Sequence, residues 1–219
     1  MNVLPASGFA VAGAIGGIPI AAIAYSAPAH GSLRLPGGWW RGAPARPTAV
    51  VLVSLLAGVA AGLVARRLPW SPALPAFWAL AVIGVGLAII DVRRRRLPYA
   101  LTGTAGAVSL ICFAVDAAAL GTAGALLRAL VAGTLTALAM LTMALAFSGQ
   151  LGLGDVALLG VVNLNLAWLS WQAALAGVLI AFMLQGILVL TCKGRTETRA
   201  TSPMGPAIWA GWLLAVFVS

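Results

Sequence analysis

Apolar residues run along this chain in stretches of roughly sixteen to twenty-five positions, separated by shorter segments that gather most of the arginine, lysine and proline. A helix rises 1.5 Å per residue, so crossing a hydrocarbon core of roughly 30 Å takes about 20 mostly apolar residues. Eight stretches meet or approach that length, at roughly 7–24, 48–65, 73–90, 99–119, 122–146, 155–170, 172–191 and 203–218. The last is short and holds Pro203 and Pro206. Glycine and alanine recur through these stretches at spacings that let helix backbones approach, for example Gly58 and Gly62, or Gly84 with Ala88. The pattern predicts an all-α integral membrane protein, a polytopic bundle of about eight transmembrane helices. The one long connection, 25–47 (HGSLRLPGGWWRGAPARP within it), is too short for a domain and reads as a cytoplasmic linker. It belongs to an N-terminal transmembrane pair at 1–72, followed by a membrane core at 73–219.

Composition strengthens this picture. Of 219 residues 62% are hydrophobic and 8% charged, with mean hydropathy +1.06, an excess that a lipid-facing exterior explains. A net charge of +9 and a pI near 11.5 invite a nucleic-acid partner, but the basic residues sit in short runs between apolar stretches instead of along one face. Nucleic acid is therefore not expected, and anionic lipid is. Cytoplasmic loops carry the lysine and arginine excess. With the N-terminus outside, the loops after the first, third and seventh helices hold Arg34, Arg41, Arg46, Arg93, Arg94, Arg95, Arg96, Lys193, Arg195 and Arg199, ten of the thirteen basic residues. Both termini are then outside. No basic residue precedes the first apolar stretch, which reads as a retained helix and not a cleaved signal. Tryptophans 39, 40, 70, 168, 171, 209 and 212 fall near predicted helix ends, as interfacial anchors or packing residues.

Cys112 and Cys192 form no CxxC pair, and His30 stands in a polar loop without a second ligand at metal spacing. No metal or organic cofactor is expected. The chain has only four acidic residues, Asp91, Asp116, Asp155 and Glu197. A carboxylate bordering an apolar helix costs several kcal/mol unless it is paired or hydrated, so each invites a functional reading. Asp91 directly follows AVIGVGLAII, and Asp155 opens an apolar run after GQLGLG. Both fall at the cytoplasmic ends of their helices in the topology above. Asp116 and Glu197 read as solvated loop charges, and Arg128 as a side chain snorkelling to the outer interface.

The stretch DVRRRRLPYALT, Asp91 to Thr102, resembles the first aspartate motif of the type IV prepilin peptidases, and GLGDVALLG, Gly152 to Gly160, resembles their second, the GxGD motif. PMGP at 203–206 is similar to the turn that opens their last helix. The similarity covers roughly residues 73 to 219. It implies a membrane-embedded aspartyl endopeptidase with Asp91 and Asp155 as catalytic pair, and with Gly152, Gly154, Pro98, Gly205 and Pro206 around them. The implied substrates are precursors of type IV or Tad-type pilins or pseudopilins, whose basic leader is cut at the cytoplasmic face of a bacterial plasma membrane. The chain departs from the family at Ala157, where a lysine is usual, and at Tyr99, where an asparagine is usual. It also lacks the cysteine-bearing domain that supports N-methylation.

Chemically, two neighbouring carboxyls share one proton because both cannot ionise cheaply. One then takes a proton from water while the other hydrogen-bonds the peptide carbonyl. That role requires the third and sixth helices to be neighbours. Plainer readings stand beside it: Asp155 as a helix N-cap, Asp91 as an interfacial charge neutralised by Arg93 to Arg96, and the chain as an inactive pilus or secretion scaffold or a small proton- or cation-coupled transporter. The oligomeric state is not legible in the sequence.

Overall fold

The computed structural model describes residues 3–26, 46–146, 152–192 and 203–219, and these form eight α-helices with no strand among them. They are α1 (Val3–Ser26), α2 (Pro47–Arg67), α3 (Leu74–Arg94), α4 (Tyr99–Leu120), α5 (Ala123–Ala146), α6 (Leu153–Leu169), α7 (Trp171–Cys192) and α8 (Gly205–Val218). Most of the 25–47 linker, together with His30, Trp39, Trp40, Lys193 and Glu197, lies outside the described residues.

Six helices, α1 to α5 and α7, are long and apolar enough to cross a membrane. The other two are shorter than expected for spanning segments: α6 has 17 residues and α8 has 14. At 1.5 Å per residue they measure about 25 and 21 Å, against a core of roughly 30 Å.

Helix α3 is the centre of the bundle. It touches α1, α2, α4, α6 and α8, and its row of buried residues runs from Leu74 to Asp91. Helices α1 and α2 pack as a close pair, because small residues face each other: a Cβ added at Gly17 would lie 2.6 Å from the Ser54 Cα. On the other side α5 lies along α6 and α7 along α8. Apolar side chains such as Leu127, Leu135, Leu175 and Leu179 point outward from α5 and α7, as lipid contact requires.

Two polar contacts tie α6 to its neighbours inside the apolar bundle. Asn165 Nδ2 donates to Ser109 Oγ of α4 at 2.8 Å, and Asn163 Nδ2 donates to Thr136 Oγ1 of α5. Lipid offers no competing hydrogen bonds, so such pairs favour one helix register. The tryptophans divide between the two roles open to them. Trp70 and Trp171 are exposed, whereas Trp168 stacks on Phe113 with centroids 4.3 Å apart and Trp212 is fully buried.

Candidate active site

Residues far apart in sequence meet where α3 ends and where α6 and α8 begin. Helix α3 runs four residues past the expected stop at Ile90, so Asp91 lies in its last turn and not just beyond it. The helix ends on Arg95, whose φ of 52° puts it in the left-handed region, and the Arg95 amide donates to the Asp91 carbonyl at 2.7 Å. Arg93 stacks its guanidinium over the Tyr25 ring of α1 at 4.1 Å, a cation–π contact that anchors this end of α3.

The Asp91 side chain is 4% exposed, and its contacts lead to α8. The Gly205 amide donates to Asp91 Oδ2 at 2.6 Å, and the Met204 amide also donates to this carboxyl. Met204 and Gly205 are the N-cap and first residue of α8, whose own N-cap supplies no side-chain acceptor. Asp91 therefore caps α8 from another helix, satisfying amides that a helix start leaves unpaired. Gly205 allows this contact, since a Cβ there would sit 3.0 Å from both Asp91 Cβ and Oδ2. Pro206 follows in the first turn, where its missing N–H costs no bond.

Asp155 is the third residue of α6, two positions deeper than the expected helix start, with Gly152 as N-cap. Its carboxyl accepts the Gly152 amide, the same reach-back that an acidic residue makes in a capping box. Asp155 Oδ1 is buried and has no hydrogen-bond partner among the described residues. Asp155 also lies within electrostatic range of Asp91, as the direct contact of α3 with α6 allows.

Gly154 sets the distance between the two motifs. A Cβ at this position would be 2.9 Å from Leu97 Cβ and 3.1 Å from Leu97 O, so the backbone of α6 lies directly against the turn after the four arginines. Leu97 is buried there, and Pro98 is the extended N-cap that starts α4. Tyr99, the first residue of α4, is 61% exposed.

Two charges behave differently from their sequence reading. Asp116 is not a solvated loop charge: it lies within α4, is 2% exposed, and accepts the Ala73 amide at 3.1 Å and the Thr122 hydroxyl at 2.8 Å. Arg128 does not snorkel outward. Its guanidinium donates to the carbonyls of Ala167, Trp168 and Leu169 at 2.5, 2.6 and 3.2 Å, capping the end of α6. A polar residue inside an apolar run was the signal available for both, but their backbone partners lie 39 to 43 residues away.

No group of three or more metal-ligating side chains occurs among the described residues. What the site holds is a pair of partly desolvated carboxyls, each accepting from the backbone at a helix start, with one Asp155 oxygen that has no partner among the described residues. Comparison of the chain with family models, with characterised proteins and with solved structures finds no match.

Proposed function

We propose that this protein is an intramembrane aspartyl endopeptidase of the prepilin-peptidase type, with Asp91 and Asp155 as its catalytic pair. One observation carries the reading: two of the chain's four acids come within electrostatic range of each other, and the buried Asp155 Oδ1 has no hydrogen-bond partner among the described residues. Capping alone does not explain that juxtaposition. Two separate helix starts are capped as well by their own serine or threonine, without bringing like charges together. A shared proton or a bound water relieves both the repulsion and the orphan oxygen. The water is the nucleophile, one carboxyl takes its proton, and the protonated partner donates to the scissile carbonyl, with no covalent intermediate.

The short helices support a site recessed from the membrane surface. Arg67 of α2 donates to the Phe217 and Ser219 oxygens at the end of α8, as Arg128 does at the end of α6. With those ends held at one face, helices about 5 to 9 Å shorter than the core start below the opposite face. Water and the junction between a basic leader and an apolar helix reach such a recess together. Irregular backbone at that depth is tolerated where it lines a wet cavity.

The substrates are pilin or pseudopilin precursors, and the protein works at the cytoplasmic face of a bacterial plasma membrane rich in anionic lipid. Incubating the purified, reconstituted protein with a precursor of that design should release the leader, by mass spectrometry, at the boundary between basic and apolar segments. An intact precursor under conditions where a known peptidase cleaves it would instead favour an inactive scaffold, the reading suggested by the capping work of both aspartates and by Ala157. Topology gives an independent check. Cysteines introduced at 93–96 should react only with reagents that reach the cytoplasm, and cysteines at 67–72 only from outside. The opposite pattern removes the carboxyls from the side where leaders reside.

A further inference from the structure

Asp116 and Arg128 stand at the other end of the helices that carry the carboxyl pair, and each holds one of them. Asp116, on α4, accepts the amide of Ala73, the N-cap of α3, at 3.1 Å. Arg128, on α5, gathers the last carbonyls of α6. Between these anchors a row of rings crosses the bundle. Phe77 of α3 meets Phe113 of α4 at 5.7 Å between centroids, and Phe113 stacks on Trp168 of α6 at 4.3 Å with planes 7° apart. Phe113 precedes Asp116 by one helical turn, and Trp168 is one of the residues whose carbonyl Arg128 binds.

Polar side chains are costly to bury in this setting unless their hydrogen bonds are met. Asp116 is 2% exposed, and among the described residues its hydrogen-bond partners are one amide and one hydroxyl, with no basic group. A buried acid maintained in an apolar bundle calls for a role beyond closing one helix start, since Ser71 Oγ already accepts the same Ala73 amide at 3.2 Å.

We infer that Asp116 and Arg128 are positioning residues for the Asp91–Asp155 pair. They fix the axial register and tilt of α3 and α6 from the distal end. From Ala73 to Asp91 is 18 residues of helix, about 27 Å, so a tilt of about 5° at the anchor moves the carboxyl by about 2 Å. Misplacement by ~1 Å can lower a rate ~100-fold. The side chains act through α3 and α6, without touching substrate, and the inference rests on the endopeptidase reading only where rate is concerned.

The test reads geometry and rate separately. Spin labels at Val92 and Leu153, 57% and 54% exposed beside the two carboxyls, report the separation of α3 and α6 in reconstituted protein whose native cysteines are replaced by alanine. Asp116→Ala should shift or broaden the distance distribution by about 2 Å, and Arg128→Gln should do likewise. Asp116→Asn should keep the parent distribution, since its carbonyl still accepts the Ala73 amide and its NH2 can donate to the Thr122 hydroxyl. In leader cleavage, Asp116→Ala should lose roughly 10- to 100-fold in kcat with KM within about twofold, and Asp116→Asn should restore it. If Asp116→Ala does not fold, Thr122→Val removes only one of the two bonds and should give a smaller shift of the same kind. Unchanged distances in Thr122→Val and Arg128→Gln overturn the inference, as does a loss of rate without any change in distance. Shifted distances in a protein whose parent cleaves no precursor uphold the positioning and remove the endopeptidase reading.

Discussion

Asp91→Asn and Asp155→Asn should each lower leader cleavage by a factor on the order of 10³ while the protein still inserts and accumulates. Asparagine retains an oxygen for the Gly205 amide at position 91 and for the Gly152 amide at position 155, so the helix starts stay capped. What disappears is the proton shared between two carboxyls. Because the pair acts as one unit, the double variant should be hardly slower than either single one. Asp91→Ala separates chemistry from capping: it removes the acceptor as well, and should lower stability by about 0.5–2 kcal/mol beyond Asp91→Asn. Thermal unfolding in detergent and precursor cleavage measure the two effects. A single asparagine variant that cleaves near the parent rate sinks the two-carboxylate mechanism.

Gly154→Val should be damaging in both respects, through contact instead of charge. Its new Cβ meets Leu97 Cβ at 2.9 Å and the Leu97 carbonyl at 3.1 Å, and a main-chain oxygen cannot turn aside as a flexible side chain can. Leu97 is buried between the arginine run and Pro98, so it has nowhere to retreat. Either α6 withdraws from the turn or the turn distorts. Overpacking of this kind costs about 1–3 kcal/mol, and separation of α6 from the α3 end should suppress cleavage as well. Gly186→Val on α7 is the matching control, since a Cβ there meets nothing within 4 Å. If Gly154→Val unfolds and cleaves like that control, the close approach is not what joins the motifs.

The length and spacing of the apolar runs were enough to read off the helices, because a bilayer requires each crossing segment to satisfy its own backbone and to present apolar side chains. The eight predicted stretches each contain the greater part of one observed helix, and their ends differ by a few residues, as with Arg94 at the end of α3 and Leu153 at the start of α6. The scarcity of acids likewise singled out Asp91 and Asp155, for an ionisable residue at a helix end within lipid is costly whatever surrounds it. Hydropathy, however, measures only removal from water. It does not separate a helix face that meets lipid from one that meets protein, and so Trp168 and Trp212 read as candidates for an interface although they pack in the core.

Tertiary structure alone decided the partners. That Asp91 would take the amides of Met204 and Gly205, 113 and 114 residues away, depends on α8 starting beside the end of α3. Asp116 reads as a solvated charge until the start of α3 is seen against it, and Arg128 as a snorkelling one until α6 ends beneath its guanidinium. A charge in a membrane protein is tolerated where its hydrogen bonds are met, and which backbone groups meet them is a property of helix packing that no local pattern records.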